Sequence, residues 1–153
     1  MNKRFIIKSV VATSPCRLKV TFGDEVAMDI DLSAIVAQNK TLSPLCNSEL
    51  FQKAKIGEFG YDIVWNDDLG LSGDNLRAEA VEQCGGISHE RIWNWMHRNQ
   101  LTLDTASEAL GISRRMLAYY RNGEKPIPKH IWLACLGFER YNGLDERLMK
   151  QAA

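Results

Sequence analysis

The spacing of apolar residues changes once along this chain of 153 residues, and the change falls near Gly85-Gly86. Before the two glycines, several segments alternate apolar and polar residues, which is typical of strands that bury one face. From Ser88 onward, apolar residues recur at intervals of three and four, which is typical of amphipathic helices. The sequence therefore predicts an α+β fold. We expect a small α+β domain with antiparallel strands in residues 1–84 and an all-α bundle in residues 87–153.

The clearest alternating segment is predicted to form a β-hairpin, and its apolar residues determine the register. A two-residue turn at Gly23-Asp24 would place Phe22 opposite Glu25, so that apolar residues would face acidic ones along the whole pair. A three-residue loop over residues 23–25 keeps all the apolar residues on one face instead. We therefore predict the longer loop. It pairs Phe22 with Val26, Val20 with Met28 and Leu18 with Ile30.

The other elements follow from similar local patterns. In the first half we expect strands over Phe5–Ala12 and Tyr61–Trp65, helices over Ser33–Gln38, Ser48–Lys55 and Asn75–Gln83, and a turn at residues 66–68. The serines that open the first two of these helices suit the N-cap position. In the second half we expect helices from Ser88 to Asn99, Thr102 to Leu110, Arg114 to Asn122 and Lys129 to Tyr141, with a short tail helix from Leu144 to Lys150. Thr102 and Ser113 suit N-caps, and Gly111 suits a helix stop.

Charge is distributed unevenly between the halves, although the whole chain is balanced at 19 basic and 19 acidic residues. Residues 1–86 carry nine basic and twelve acidic side chains, whereas residues 87–153 carry ten basic and seven acidic. The basic surplus lies mostly within residues 111–128. Such an asymmetry is an indication of a nucleic-acid-binding segment.

Residues with catalytic or metal-binding potential do not form recognisable motifs. The four cysteines form no CxxC pair and lack histidines at zinc-ligand spacing. Asp67, Asp68 and Asp74 lack the spacing of a calcium loop, and Cys84 with His89 does not define a catalytic pair. We therefore expect no enzymatic activity, no metal and no cofactor. Lys8 interrupts the apolar stretch near the N-terminus and no membrane span is present, so we expect a cytoplasmic protein.

The third helix of the second half divides into two faces. The face expected to pack against other helices carries Met116, Leu117 and Tyr120. The opposite arc of about 140° carries Arg114, Arg115, Ala118, Tyr119 and Asn122, and no acidic residue. Arg114 and Arg115 lie in the first turn, which is the part of a recognition helix that reaches base edges in the major groove of DNA.

Residues 101–128, LTLDTASEALGISRRMLAYYRNGEKPIP, resemble the helix-turn-helix of the lambda-repressor and Cro type, also called XRE-like. The shared features are the opening LT, a small residue at Ser107, LGIS at the turn, apolar Leu117 and Tyr120, and NG followed by proline. The resemblance extends over about residues 87–138. The sequence departs from the family at Leu103, where a glutamine that caps the helix and touches a phosphate is usual.

This resemblance implies roles for seven residues. Base-reading positions fall on Arg114, Arg115 and Tyr119, and candidate phosphate contacts fall on Ser113, Arg121, Asn122 and Lys125. For Tyr119, contact of the ring with a thymine methyl and contact of the hydroxyl with a phosphate both remain open. His130, near a helix start, is a further candidate for a phosphate contact. Trp93, Trp95 and Trp132 are expected to pack in a core or an interface rather than to stack on bases.

A second resemblance covers about residues 5–80. The segments CRLKVTFGDEVAMDIDLS, SPLCNSELFQKAKI and DIVWNDDLGLSGDNL are similar to a small bacterial domain of unknown function. That family implies an α+β fold without catalytic residues. Some of its members are suspected partners in toxin–antitoxin pairs.

Two functional hypotheses follow. The first is a sequence-specific binder of double-stranded DNA, a bacterial transcriptional regulator that forms a homodimer, with an N-terminal domain that dimerises or binds a protein partner. The second is a protein–protein adaptor or antitoxin-like protein whose helical domain does not read DNA. Salt dependence distinguishes them, because phosphate contacts release counterions and make affinity fall steeply with salt.

Overall fold

The computed structural model describes residues 2–141. It divides into two compact units, of which the first ends at Gly86 and the second begins at Ile87. The fold is α+β, as the sequence predicts, with two small antiparallel sheets and seven α-helices among the described residues. The predicted tail helix from Leu144 to Lys150 lies outside these residues.

The first sheet has the order β1 (Ile7–Thr13), β2 (Arg17–Phe22) and β3 (Ala27–Asp31). The predicted hairpin register is confirmed: Leu18 lies opposite Ile30 and Val20 opposite Met28, and the Phe22 N–H donates to the Val26 carbonyl at 3.0 Å. Glu25 completes the three-residue loop in the left-handed region, at φ 66°. The register places the buried side chains of β2 on one face, as the alternation requires.

The second sheet consists of β4 (Lys55–Ile56), β5 (Asp62–Asn66) and β6 (Leu69–Ser72). Strand β5 lies where the sequence predicts a strand, and Asp67-Asp68 forms the predicted turn into β6. Strands β4 and β6 were not predicted. β4 includes the end of the expected helix Ser48–Lys55, of which only residues 48–51 are helical.

The helices of the first unit are α1 (Ser33–Gln38), α2 (Ser48–Phe51) and α3 (Gly73–Gln83), with 3₁₀ turns at Lys3–Phe5 and Lys40–Cys46. The prediction that the serines cap α1 and α2 is wrong. The Asp31 carboxylate accepts from the Ser33 N–H at 2.9 Å, and the Asn47 side chain accepts from the Glu49 and Leu50 N–H groups. In each case the side-chain oxygen of a residue before the serine accepts from backbone N–H groups at the start of the helix. The serine itself becomes the first helical residue.

Arg77 on α3 forms an ion pair with Asp24 in the hairpin loop. Its side chain is buried, and its two terminal nitrogens each donate to one Asp24 oxygen at 3.0 Å. Its guanidinium carbon also lies 4.8 Å from the centroid of the Phe22 ring. A bidentate pair of this kind offsets part of the cost of burying the cation, while the buried Arg77 Nε has no hydrogen-bond partner among the described residues.

The described residues of the second unit form four helices joined by turns and short loops: α4 (His89–Arg98), α5 (Leu103–Leu110), α6 (Arg114–Arg121) and α7 (Lys129–Tyr141). Trp95 is fully buried in its core, and its indole N–H donates to the Cys135 carbonyl at 2.9 Å. Arg98 on α4 forms an ion pair with Glu139 on α7 at 2.7 Å. The core brings together Ile92, Trp95, Met96, Ala106, Leu117, Tyr120, Ile127, Ile131 and Cys135.

The boundary between two independently folding domains remains a prediction, which truncation tests. A fragment that begins at Ile87 is expected to be soluble, mostly helical by circular dichroism and cooperative on heating, because its apolar residues form a core of their own. The fragment of residues 1–86 provides the matched measurement. An unfolded fragment from Ile87 onward would contradict the prediction.

Candidate nucleic-acid interface

A three-residue turn joins α5 to α6, and the local sequence explains both helix ends. Gly111 adopts φ 69°, the left-handed conformation that stops α5 and that glycine accepts without a steric penalty. Ser113 then caps α6, because its hydroxyl oxygen accepts from the Met116 N–H at 3.1 Å. Thr102 caps α5 reciprocally with Thr105. The predicted stop and both predicted caps of this segment are confirmed.

Packing fixes which side of α6 faces the interior. Leu117 is fully buried and Tyr120 is buried, as the helical periodicity predicts. Ser107 of α5 is also buried, and its hydroxyl donates to the Asp104 carbonyl at 2.9 Å. Leu103, which departs from the pattern of the helix-turn-helix family, packs half-buried against this core. An apolar side chain at that position therefore contributes to packing rather than to polar contacts.

The outward face of α6, defined here as Arg114, Arg115, Ala118, Tyr119 and Asn122, turns away from the core. Arg114, Arg115 and Asn122 are exposed, whereas Ala118 and Tyr119 are half-buried. The three predicted base-reading residues thus share one surface, with the two arginines in the first helical turn. What they contact remains a prediction.

Arg115, Tyr119 and Lys125 form a cluster on this face. The Arg115 Nε–H donates to the Tyr119 hydroxyl oxygen at 2.8 Å across one helical turn. The Lys125 ammonium lies 4.6 Å from the centroid of the Tyr119 ring. The loop after α6 brings Lys125 there, because the Glu124 N–H donates to the Tyr119 carbonyl at 2.9 Å and turns the chain back. One tyrosine therefore holds two cations at the surface.

Arg114 has an acidic partner that the sequence reasoning missed. Its Nε lies 3.0 Å from the Asp104 carboxylate, and both side chains are exposed. The sequence assigned Asp104 to the positive end of α5, where it does lie in the first turn. The sequence does show opposite charges in the first turns of α5 and α6. It does not show the geometry between the two helices, which brings these charges together.

Arg121 lies between the outward face and α4. Its guanidinium carbon is 4.8 Å from the centroid of the Trp93 ring, and its buried Nε has no hydrogen-bond partner among the described residues. Trp95 packs in the core as predicted, but Trp93 is half exposed and Trp132 is half-buried. Trp93 therefore supports Arg121 from the α4 side.

The other predicted phosphate-binding residues flank the two ends of α6. Ser113 lies before its first turn, and Asn122 and Lys125 follow its last turn. All three are exposed. Ser113 uses its oxygen as an acceptor for the cap, so its hydroxyl hydrogen remains able to donate. These placements suit contacts with a polyanion that passes both ends of α6, and the roles remain predictions.

The remaining sequence candidates show no comparable assembly. Within residues 2–141, no group of three histidine, cysteine or acidic side chains is arranged to hold a metal ion. Cys16, Cys46, Cys84 and Cys135 are all free thiols, and burial raises the pKa of Cys135 to about 12. None of the helices described is both long and apolar enough to cross a membrane.

Comparisons with known proteins give two matches. Residues 7–82 match a family described as "Protein of unknown function (DUF2442)". The chain is also similar to a crystal structure of NE0471 from Nitrosomonas europaea ATCC 19718, described as a "putative DNA binding protein". The sequence identity is 43%, the TM-score is 0.81, and the match covers 91% of this chain and 90% of that one. The comparison with curated proteins gives no match.

The cap of α6 provides a prediction about stability. Replacing Ser113 with alanine removes the acceptor for the Met116 N–H, so the free energy of unfolding is expected to fall by about 1 kcal/mol. Ser113→Asp is the matched control and is expected to retain most of the stability, because aspartate is an equally good cap. Urea denaturation followed by circular dichroism measures both. Equal stability of Ser113→Ala and the unsubstituted protein would contradict the role of this cap.

Proposed function

The chain belongs to the protein family that includes NE0471 of Nitrosomonas europaea, and we propose that it binds double-stranded DNA in a sequence-specific manner. In this proposal α5, the turn and α6 act as a helix-turn-helix of the lambda-repressor type, and α6 enters the major groove. The observation that carries the proposal is the outward face of α6, where Arg114 and Arg115 are exposed in the first turn.

The dimensions and chemistry of DNA support this assignment. The major groove is about 12 Å wide and admits one helix, and the first turn of a docked recognition helix lies nearest to the base edges. Arginine is well suited to reading those edges because its planar fork of donors matches paired acceptors on guanine. The small Ala118 between the longer side chains allows the backbone of α6 to approach the groove.

The residues around α6 would supply affinity rather than sequence preference. Ser113 lies at one end of the helix, and Asn122 and Lys125 lie at the other end, where the sugar–phosphate strands border the groove. Arg121 would reach a phosphate from the α4 side. Contacts of this kind position a protein on DNA and make its affinity depend on salt.

The proposal extends to the whole chain. One recognition helix spans only a few base pairs, so we infer a homodimer that binds two half-sites one helical turn apart. The first unit would dimerise or bind a protein partner and carry no catalytic chemistry, metal or cofactor. Such a protein would act as a bacterial transcriptional regulator in the cytoplasm.

A protein–protein adaptor or antitoxin-like role is the second candidate. The observation that favours it is the exposure of Leu133 and Leu136 on α7, at 55% and 42%. Exposed apolar side chains on one helix suit a protein contact. A regulator that dimerises through α7 would also expose them, so binding to DNA is the measurement that decides between the two roles.

Substitution of the cationic residues separates base reading from phosphate binding. Arg115→Ala is expected to cost roughly 1–3 kcal/mol on the preferred duplex and to relax the preference at one base pair. Lys125→Ala is the matched control, which also removes one positive charge, and is expected to weaken binding to all sequences about equally. It should also lower the salt slope by about one unit. Titrations of preferred and scrambled duplexes at several salt concentrations measure both effects.

The same titrations can overturn the proposal. If Arg114→Ala and Arg115→Ala both leave affinity and preference unchanged, α6 does not read DNA. The adaptor role then becomes the better explanation of the helical unit.

The Asp104–Arg114 pair leads to a separate prediction. Asp104→Asn removes a carboxylate beside the outward face of α6, so affinity is expected to rise for preferred and scrambled duplexes alike, with the larger gain at low salt. Asp104→Glu keeps the negative charge on the first turn of α5 and is the matched control, which is expected to leave the affinity nearly unchanged. Equal gains from the two variants would show that the charge of Asp104 is not the cause.

A further inference from the structure

The hydrogen bond between Arg115 and Tyr119 determines which donors Arg115 keeps for a ligand. A guanidinium carries five N–H donors, one on Nε and two on each terminal nitrogen. In Arg115 the Nε–H is used by the Tyr119 hydroxyl at 2.8 Å. No other hydrogen bond or ion pair engages Arg115 within the described part of the chain. The terminal pair of nitrogens is therefore the fork that remains.

Tyr119 is itself held in place, so the hydrogen bond has a fixed anchor. The tyrosine lies half-buried on α6, so its ring has less freedom than that of an exposed side chain. The Arg115 guanidinium carbon is 5.6 Å from the centroid of this ring. A long, exposed arginine normally loses much rotamer freedom when it binds. An anchor that restricts it beforehand lowers that loss.

The two arginines of the first turn differ in the charge of their partners. Arg114 is paired through its Nε with the Asp104 carboxylate, which offsets its positive charge and repels electron-rich acceptors. Arg115 is held by a neutral phenol and keeps its full charge. Of the two, Arg115 is better prepared to contact a base edge with strong acceptors.

The terminal fork selects one base by its hydrogen-bonding pattern. In the major groove, guanine presents two adjacent acceptors, N7 and O6, which match two parallel N–H donors. Adenine presents an acceptor beside a donor, thymine a single acceptor beside a methyl group, and cytosine a donor. Two parallel donors are therefore satisfied together by guanine and by none of the other three bases.

We propose that Tyr119 is a positioning residue that directs the terminal fork of Arg115 onto the N7 and O6 atoms of one guanine in the bound duplex. This inference rests on the proposed function. It gives Tyr119 a role different from the two that the sequence left open, because the hydroxyl oxygen acts on Arg115 and not directly on the DNA.

The test uses the full chain and duplexes selected from a random pool. The preferred duplex is also synthesised with 7-deazaguanine, which lacks N7, at the guanine for which Arg115→Ala loses its preference. Each protein is titrated with the modified and the unmodified duplex. The proteins compared are the unsubstituted chain, Tyr119→Phe, Arg115→Lys, Arg115→Ala and Tyr141→Phe. The last removes the phenol hydroxyl of an exposed tyrosine on α7 and is the matched control. Circular dichroism verifies that each variant is folded.

Tyr119→Phe is expected to lose about three- to tenfold in affinity for the guanine site, which is the range for one hydrogen bond. Its preference for guanine over adenine should fall while its salt slope stays unchanged, since no charge is removed. Arg115→Lys should keep the salt slope and lower the guanine preference, because an ammonium has no planar fork that fixes two donors in parallel. The 7-deazaguanine substitution should weaken binding less in Tyr119→Phe than in the unsubstituted chain, and Tyr141→Phe should behave like the latter.

Three results separate failure of this inference from failure of the proposed function. If the unsubstituted chain selects no duplex, the proposed function fails and the inference fails with it. If Arg115→Ala loses a guanine preference that Tyr119→Phe retains in full, Tyr119 does not position Arg115, although DNA reading stands. A loss in Tyr119→Phe that is equal on all duplexes also overturns the inference, because it indicates a phosphate contact.

Discussion

The burial of Leu117 and Tyr120 in the same core as Trp95 is the constraint on which the candidate interface depends. Helix α6 has only eight residues, too few for a helix to be stable in water without tertiary packing. Its conformation and its rotation about its own axis are therefore imposed by the core. The hydrogen bond from the Trp95 indole to the Cys135 carbonyl links α4 to α7 behind it. The packing of Leu117 and Tyr120 in the core therefore determines the direction in which the outward face points.

Much of the fold could be predicted where a short stretch of sequence contains the whole reason for the structure. The alternation of apolar and polar residues determined the register of the hairpin. Gly111 and Ser113 marked the two ends of the turn before α6. Strands β4 and β6 could not be predicted in the same way. The first has two residues and the second includes Gly70, so neither shows a complete alternation, and both depend on pairing with β5.

The candidate site was predicted as a set of residues but not as a set of contacts. Helical geometry alone placed Arg114 and Arg115 on the outward face. The pairing of Arg114 with Asp104 depends on the angle between two helices, and the approach of Lys125 to Tyr119 depends on a loop that folds back. Neither angle nor loop path is encoded in a periodic pattern. Two adjacent arginines that look equivalent in sequence therefore have partners of different charge.

The division of α6 into two faces has a consequence for how such a protein can diversify. Arg114 and Arg115 are exposed and contribute nothing to the apolar core, whereas Leu117 contributes nothing to the outward surface. Exchanges at exposed positions usually change stability by less than about 0.5 kcal/mol. The outer side chains can therefore be replaced, by mutation or by design, while the fold persists. Under the proposed function, a lineage built on this helix could acquire a new ligand preference through single substitutions, without first gaining stability to tolerate them.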